Sequence, residues 1–351
     1  MSDFWRKNHR LTKLLVFLIC LVICGVSVFG YWLLSRMLLT QRTAEVFKGP
    51  SEELVGHVSA FFPADKGVSV DSIESFRSGL RDKYTDASLQ EPEVGSLYKD
   101  CYSGLGTATV KGTKATVSAQ VYAIGGEWFY FHPLRLRSGS YIYEADLMHD
   151  RICIDEDMAW RLYGGVDLAG MTVTINDKPY IIAGVVAREK DFATVAAGAG
   201  SGLIFMNLDQ MEGTTITEYE VVGRDPVAGF IRSTAQQYFS AADIVENSER
   251  FSPLRIWEVV KSFGKRSMRL SSVIYPYWEN AARFVEDILA ILLVVAGITA
   301  VYPFCYLMGS FVSLVKLIIR GIRYGVPELL DKISERRFKR KERKRAKKAV
   351  Q

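Results

Sequence analysis

Two runs without a single charge, Leu14 to Ser35 and Ile288 to Val315, bracket a long middle in which apolar and polar positions alternate with short periods. As helices rising 1.5 Å per residue, the runs reach roughly 33 Å and roughly 42 Å, against a hydrocarbon core of about 30 Å. Each suffices for one membrane crossing, the second with tilt, and neither for two, which would take about 40 residues. The middle therefore reads as one large domain held between two anchors.

Within it the periods change. Met37 to Gly49 has no interruption before Pro50 and continues the first span as a stalk. A helix starting near Ser51 or Ser59 closes at Phe61, Phe62 and Pro63. Ile73, Phe76, Leu80 and Tyr84 recur at helical spacing behind a cap at Asp71 or Ser72. From Gly104 to Ala123 the period is two, giving a pair of strands joined through Gly112, Thr113 and Lys114. Gly125 and Gly126 break that pattern ahead of the aromatic cluster Trp128 to Phe131. Leu134 and Leu136 then alternate with Arg135 and Arg137, as in a half-buried strand whose basic face is solvated rather than built for an anion.

Arg151 to Ile154 is a short strand. Asp155 caps a helix that Met158, Leu162 and Trp160 pack and that Gly164 and Gly165 stop, with Glu156 and Asp157 at its positive end. Met171 to Ile175 and Pro179 to Val186 form a hairpin around Asn176, Asp177 and Lys178, with Pro179 at an edge. Ala193 to Gly202 reads as a flexible surface loop, since it lacks the Gly-Lys-Ser/Thr ending of a phosphate loop. Leu203 to Met206 and Tyr219 to Val222 are strands, and Pro226 opens a helix to Phe239. Arg250 to Tyr277 mixes aromatic and cationic residues, as an interfacial stalk would. Pro303 is expected to kink the second span, and Gly297 and Gly309 to permit close helix contact.

The expected class is α+β, with two transmembrane helices flanking a large extracytoplasmic mixed α/β domain. The divisions are a cytoplasmic N-terminus 1–13, a transmembrane helix 14–35, a stalk 36–60, the exported domain 61–247, a membrane-proximal stalk 248–286, a second transmembrane helix 287–319 and a basic cytoplasmic tail 320–351.

Charge adds the orientation. Arg6, Lys7, Arg10 and Lys13 precede the first run, while Lys316, Arg320 and Arg323 follow the second, so both ends read as cytoplasmic. The net charge of +5 conceals a tail, Arg336 to Lys348, with ten Lys or Arg against Glu342, which leaves the rest mildly acidic. That distribution fits anionic lipid at the tail, or a plain topological anchor, and gives no support to nucleic-acid binding. The first run outlasts a secretory apolar core and ends in Tyr31, Trp32, Leu33 and Leu34, so it reads as an uncleaved anchor. Cys20, Cys24 and Cys305 lie in the spans. Cys101 and Cys153 either form one disulfide or stay as two buried thiols.

Enzymatic constellations are scarce. There is no P-loop, no His-Glu-x-x-His, no nucleophile elbow and no Cys-x-x-Cys outside the spans. His9, His57, His132 and His149 are scattered. His149 lies near Asp146 and Asp150, a pattern that a solvated turn explains better than a metal. No catalytic, cofactor-binding or metal-ligating residue is nominated, and no catalysis is expected.

Four segments carry a resemblance in joint order and spacing. They are Phe129 to Gly139 (FYFHPLRLRSG), Ile152 to Gly165 (ICIDEDMAWRLYGG), Gly170 to Ile175 (GMTVTI) and Ile181 to Val186 (IIAGVV). Together they resemble the MacB-like periplasmic core domain of FtsX-type ABC transporter permeases, over roughly residues 60 to 245. The resemblance implies a permease-type or accessory subunit whose exported domain binds a substrate or envelope partner and transmits motion through its stalks. It also implies an ABC-type ATPase and multi-span permease as partners, with oligomerisation through the membrane helices and stalks. A stand-alone membrane-anchored binding or scaffold protein is the alternative. Permeases of that family carry three spans after the exported domain, whereas this sequence shows one, which puts engagement of an ATPase in question.

Overall fold

The structure is a computed structural model that describes residues 9–93, 95–263, 265 and 275–320, with 323, 330, 332–337 and 339. Most of the basic tail, on which the lipid reading rests, and Arg6 and Lys7 of the orientation reading thus lie outside the described residues. The chain divides into two compact units, residues 30–293 and the remainder.

Among the described residues, two helices are long and apolar enough to cross a membrane, α1 (His9–Leu34) and α9 (Tyr277–Arg320). In the unit that holds most of their length, Phe17 and Tyr306 lie 5.1 Å apart, and the Tyr302 hydroxyl donates to the Lys13 carbonyl at 3.4 Å. Pro303 sits inside α9 without ending it, and among the described residues nothing comes within 4 Å of a Cβ added at Gly297 or Gly309, so the expected close helix contact is not made among them.

The first stalk differs from expectation. α1 ends at Leu34, Leu38 is extended at φ −84°, and a 3₁₀ turn (Leu39–Arg42) leads into α2 (Thr43–Lys48). Leu38, Thr40 and Thr43 are buried against the domain, and a straight continuation of α1 would forgo that burial. The helix expected near Ser51 or Ser59 is instead β1 (Val55–Phe61). It is buried on both faces between two other strands, so its sequence shows no strand period.

The domain contains α3 (Val70–Asp86), β2 (Tyr98–Lys111), β3 (Thr116–Gly126), α4 (Trp128–Phe131), β4 (Leu136–Gly139), β5 (Arg151–Asp155), α5 (Glu156–Leu162), β6 (Thr172–Ile175), β7 (Lys178–Val186), α6 (Phe192–Ala196), β8 (Leu203–Asn207), β9 (Glu218–Arg224), α7 (Phe230–Tyr238), β10 (Asp243–Glu246) and α8 (Pro253–Lys261). The strands form one sheet in the order β10-β1-β9-β2-β3-β8-β5-β7-β4, with β6 bridging β7 back to β2. β10-β1-β9-β2 is an antiparallel layer made by two interlocked β-α-β units. The β6 bridge closes a circuit through β2, β3, β8, β5 and β7, and a core that includes Val110, Val121, Ile152, Ile154, Ile182 and Ile204 fills it.

The buried stripe of α3 is the expected one, Ile73, Phe76, Leu80 and Tyr84, although its cap is Ser69, whose hydroxyl accepts from the Ser72 N–H. β2 and β3 pair from Cys101↔Gly126 to Lys111↔Thr116. The β6–β7 hairpin turns on Asn176 and Asp177 at φ 46° and 66°, and Pro179 precedes the first β7–β5 pair, so its missing N–H costs no bond on that side. Asp155 caps α5 as the sequence implies, but Trp160 is 60% exposed and packs nothing.

Three further segments depart from expectation. The loop from Ala193 begins as α6, because the Asp191 carboxylate accepts from the N–H groups of Ala193 and Thr194 and both residues are buried. α7 starts at Phe230 rather than Pro226, after Asp225 has taken the N–H groups of Gly229 and Ile231. While Trp257 and Phe263 stay exposed, four aromatics of the second stalk region, Phe251, Tyr275, Tyr277 and Trp278, are buried in the domain. Their burial absorbs the hydrophobicity that the sequence pattern assigned to lipid headgroups. Cys101 and Cys153 are both buried free thiols.

Candidate functional site: a polar core beneath the second apolar helix

β9 divides the antiparallel layer into two faces of opposite chemistry. Tyr219 and Val221 point toward α3 and α7, into an apolar core with Phe76, Leu80 and Ile231. Glu218 and Glu220 point the other way, where both are buried. The register completes this second face. Glu220 stands opposite Cys101 and Glu218 opposite Ser103 on β2, and His57 on β1 stands opposite Val222, diagonal to Glu220.

An aromatic layer closes over these groups. The His132 ring lies 4.4 Å from both Trp128 and Trp278, and Tyr122 lies 5.4 Å from Trp278. Trp278 is the second residue of α9, and its indole N–H donates to Glu218 Oε1 at 2.7 Å. The Ser103 hydroxyl donates to Glu218 Oε2 at 2.5 Å, and His57 Nε2 lies 3.3 Å from Glu220 Oε2.

Burial sets the charges here. It pushes the Glu218 carboxyl well up, and the neighbouring Glu220 carboxylate adds to the shift. Glu220 meets the same burial, but the facing His132 and His57 outweigh it and hold the group down at about 2. Burial drives His132 down to about 4 against the pull of Glu220, which leaves the imidazole neutral at pH 7. Both His132 ring nitrogens and His57 Nδ1 are buried without a hydrogen-bond partner.

Beside this core, Arg250 ties α9 to the domain. Its guanidinium grips Glu279 through two bonds of 2.7 and 2.9 Å and Glu286 through one of 2.7 Å, with all three side chains at most 3% exposed. Arg283 donates to Glu279 at 2.7 Å and lies over the Tyr275 ring at 3.9 Å. Glu279, Arg283 and Glu286 share one helix face, while Trp278, Ala281, Ala282, Val285 and Leu289 form the buried apolar stripe beside it. A polar cleft of about 390 Å³ opens next to the network, lined by Arg232, Arg255 and Lys265 as well as by Arg250 and Arg283.

The residues singled out from sequence lie elsewhere. His149 sits between the Asp209 carboxylate, 2.6 Å from Nδ1, and the Glu144 carbonyl, 3.1 Å from Nε2, and the Asp209 bond raises its pKa. It is therefore oriented by the Asp209 carboxylate and by the backbone of Glu144 and Asp146. Arg135 and Arg137 are exposed, and Arg137 pairs with Glu156 at 2.9 Å. Sequence reasoning missed Glu218 and Glu220, because two acids alternating with Tyr219 look like the wet side of a strand. It missed His132 and Cys101 because no local spacing links them. The available signal was the oddity of a His directly behind four aromatic residues.

These features place the chain in a class of membrane-flanked extracytoplasmic domains. The model of the MacB-like periplasmic core domain family matches residues 15–217, more than half of the chain. The protein belongs to that family. Among solved structures, the periplasmic region of MacB from Actinobacillus actinomycetemcomitans is similar at 15% identity, covering 55% of this chain and 89% of that one, with a TM-score of 0.38. The extracellular domain of the noncanonic ABC-type transporter YknZ from Gram-positive bacteria is similar at 14% identity, covering 53% and 90%, with a TM-score of 0.37. No curated protein matches the sequence.

Proposed function

We propose that the protein is an ABC transporter-associated membrane subunit of FtsX type, whose extracytoplasmic domain passes displacements of its sheet directly into α9. The observation that carries this reading is the integration of α9 with the domain. Its first turns supply part of the core, and Glu279 and Glu286 complete a buried ion network with Arg250. Removing the network is costly, so sheet and helix move together more cheaply than apart. On this reading both termini are cytoplasmic, the basic tail lies against anionic lipid, and the subunit assembles through its helices with a multi-span permease and an ATPase. The chain itself performs no catalysis, and ATP hydrolysis by the partner supplies the work.

The test is affinity purification of the full chain from native membranes in mild detergent. An ABC-type ATPase and a multi-span permease are expected to co-purify. ATP hydrolysis by the complex is expected to fall when Trp278→Phe removes the indole donor to Glu218 without opening a large cavity. Recovery of the chain alone, or as a homo-oligomer that binds envelope components without ATP, would overturn the proposal in favour of a stand-alone scaffold.

A further inference from the structure

Cys101 Sγ, a ring nitrogen of His132 and a carboxylate oxygen of Glu220 lie within 4.8 Å of one another, and all three residues are buried. Two of them are fixed by backbone pairing, since Cys101 and Glu220 face each other across β2 and β9. The third follows α4 and is wedged between Trp128 and Trp278. A histidine buried this deeply with neither ring nitrogen hydrogen-bonded is unusual: Glu220 Oε1 stands 3.9 Å from Nε2, too far for a hydrogen bond, and each unpaired polar atom carries a desolvation penalty. Apolar packing alone would be met better by phenylalanine or leucine.

We infer that Cys101, His132 and Glu220 form a binding site for a divalent transition-metal ion of the zinc class. The donor set of thiolate sulfur, neutral imidazole nitrogen and carboxylate oxygen is the mixed set that borderline-soft ions take. Charge supports it, since a thiolate and a carboxylate neutralise a divalent cation and leave a site without net charge in an apolar surround. His57 fills the outer role, its Nε2 against the Glu220 oxygen and its ring 5.7 Å from Phe131. On binding, the Cys101 thiol gives its proton to solvent and the metal–sulfur bond forms, with no change in oxidation state. The ion would join β2, β9 and the α4 loop directly beneath Trp278. The site goes beyond the transporter role and does not depend on it.

The test uses the full chain in detergent, stripped with a chelator and titrated with Zn²⁺ or Co²⁺. About one equivalent of zinc is expected to bind, with a rise in unfolding temperature. Cobalt is expected to give a thiolate-to-metal charge-transfer band and the d–d bands of tetrahedral geometry. Cys101→Ser, His132→Gln and Glu220→Gln should each weaken binding by at least about tenfold. Cys153→Ser, a buried thiol outside the cluster, should leave the spectrum intact and shows that thiol loss alone is tolerated. A folded wild-type chain with no cobalt–thiolate band and no zinc-dependent thermal shift would overturn the inference, as would a band that survives Cys101→Ser. That failure would leave the recovery of an ATPase unaffected, so the two proposals fail independently.

Discussion

His132 and Glu218 pull the stability of this domain in opposite directions with pH. The folded His132 imidazole titrates at about 4 against 6.5 when unfolded, so its share of stability is present above about 6.5 and lost as pH falls toward 4. A shift of that size corresponds to about 3 kcal/mol. In metal-free protein, His132→Phe should therefore show a shallower acid decline than wild type when thermal unfolding of the full chain is followed from pH 7 to 4. Glu218 has the opposite sign. Its folded pKa lies above the unfolded 4.5, so its contribution is complete below that pH and is lost as pH rises. Glu218→Gln should gain stability relative to wild type on moving from pH 5 to pH 8, and an equal loss at both would contradict the upward shift of the buried carboxyl. Neither residue was legible in the sequence, because a buried carboxylate differs from a solvated one only in what lies across the sheet. Ser69 shows the same limit on a small scale, since Ser69, Asp71 and Ser72 are all competent caps and only packing of the Ile73 stripe selects among them.

Elements whose signals are local were readable, and those defined by partners were not. The Asn176-Asp177 turn demands positive φ at both residues, and the strands around it follow. Asp155 is another local signal, but its two oxygens serve two elements, accepting from Met158 in α5 and from Gly202 before β8, each at 2.7 Å. Asp155→Ala should cost about 1–3 kcal/mol in chemical denaturation, with Asp155→Asn recovering part of it. A loss confined to a few tenths would mean that water replaces the carboxylate. β1, β10 and α8 resisted reading for a different reason. β1 is buried on both faces, β10 has four residues, and α8 adjoins an aromatic-rich segment that looks built for a membrane surface.

At the scale of the whole molecule, the two apolar runs and the α+β class followed from length and period alone, while the way the second helix joins the domain did not. Arg250, Glu279 and Glu286 each look like surface charge in sequence, yet each is at most 3% exposed at its side chain. Arg250→Ala strands Glu286 in the core, leaves Glu279 to Arg283 alone and should destabilise the full chain by about 3–5 kcal/mol, read as a fall in thermal midpoint in detergent. Arg250→Lys should lie between, because lysine cannot hold Glu279 through a two-toothed fork. A midpoint unchanged by Arg250→Ala would show that the ion network holds nothing together.

Glu279, Arg283 and Glu286 also act as a spline. Because Glu279 and Glu286 hold Arg250 and Arg283 reaches Asp243 at 3.4 Å, α9 cannot spin about its axis while its first turns remain seated. The azimuth of each α9 residue as far as Leu293 is therefore counted from that seat, in steps of about 100°. A single residue added between Glu279 and Arg283 would swing Arg283 and Glu286 to new headings, away from Asp243 and Arg250.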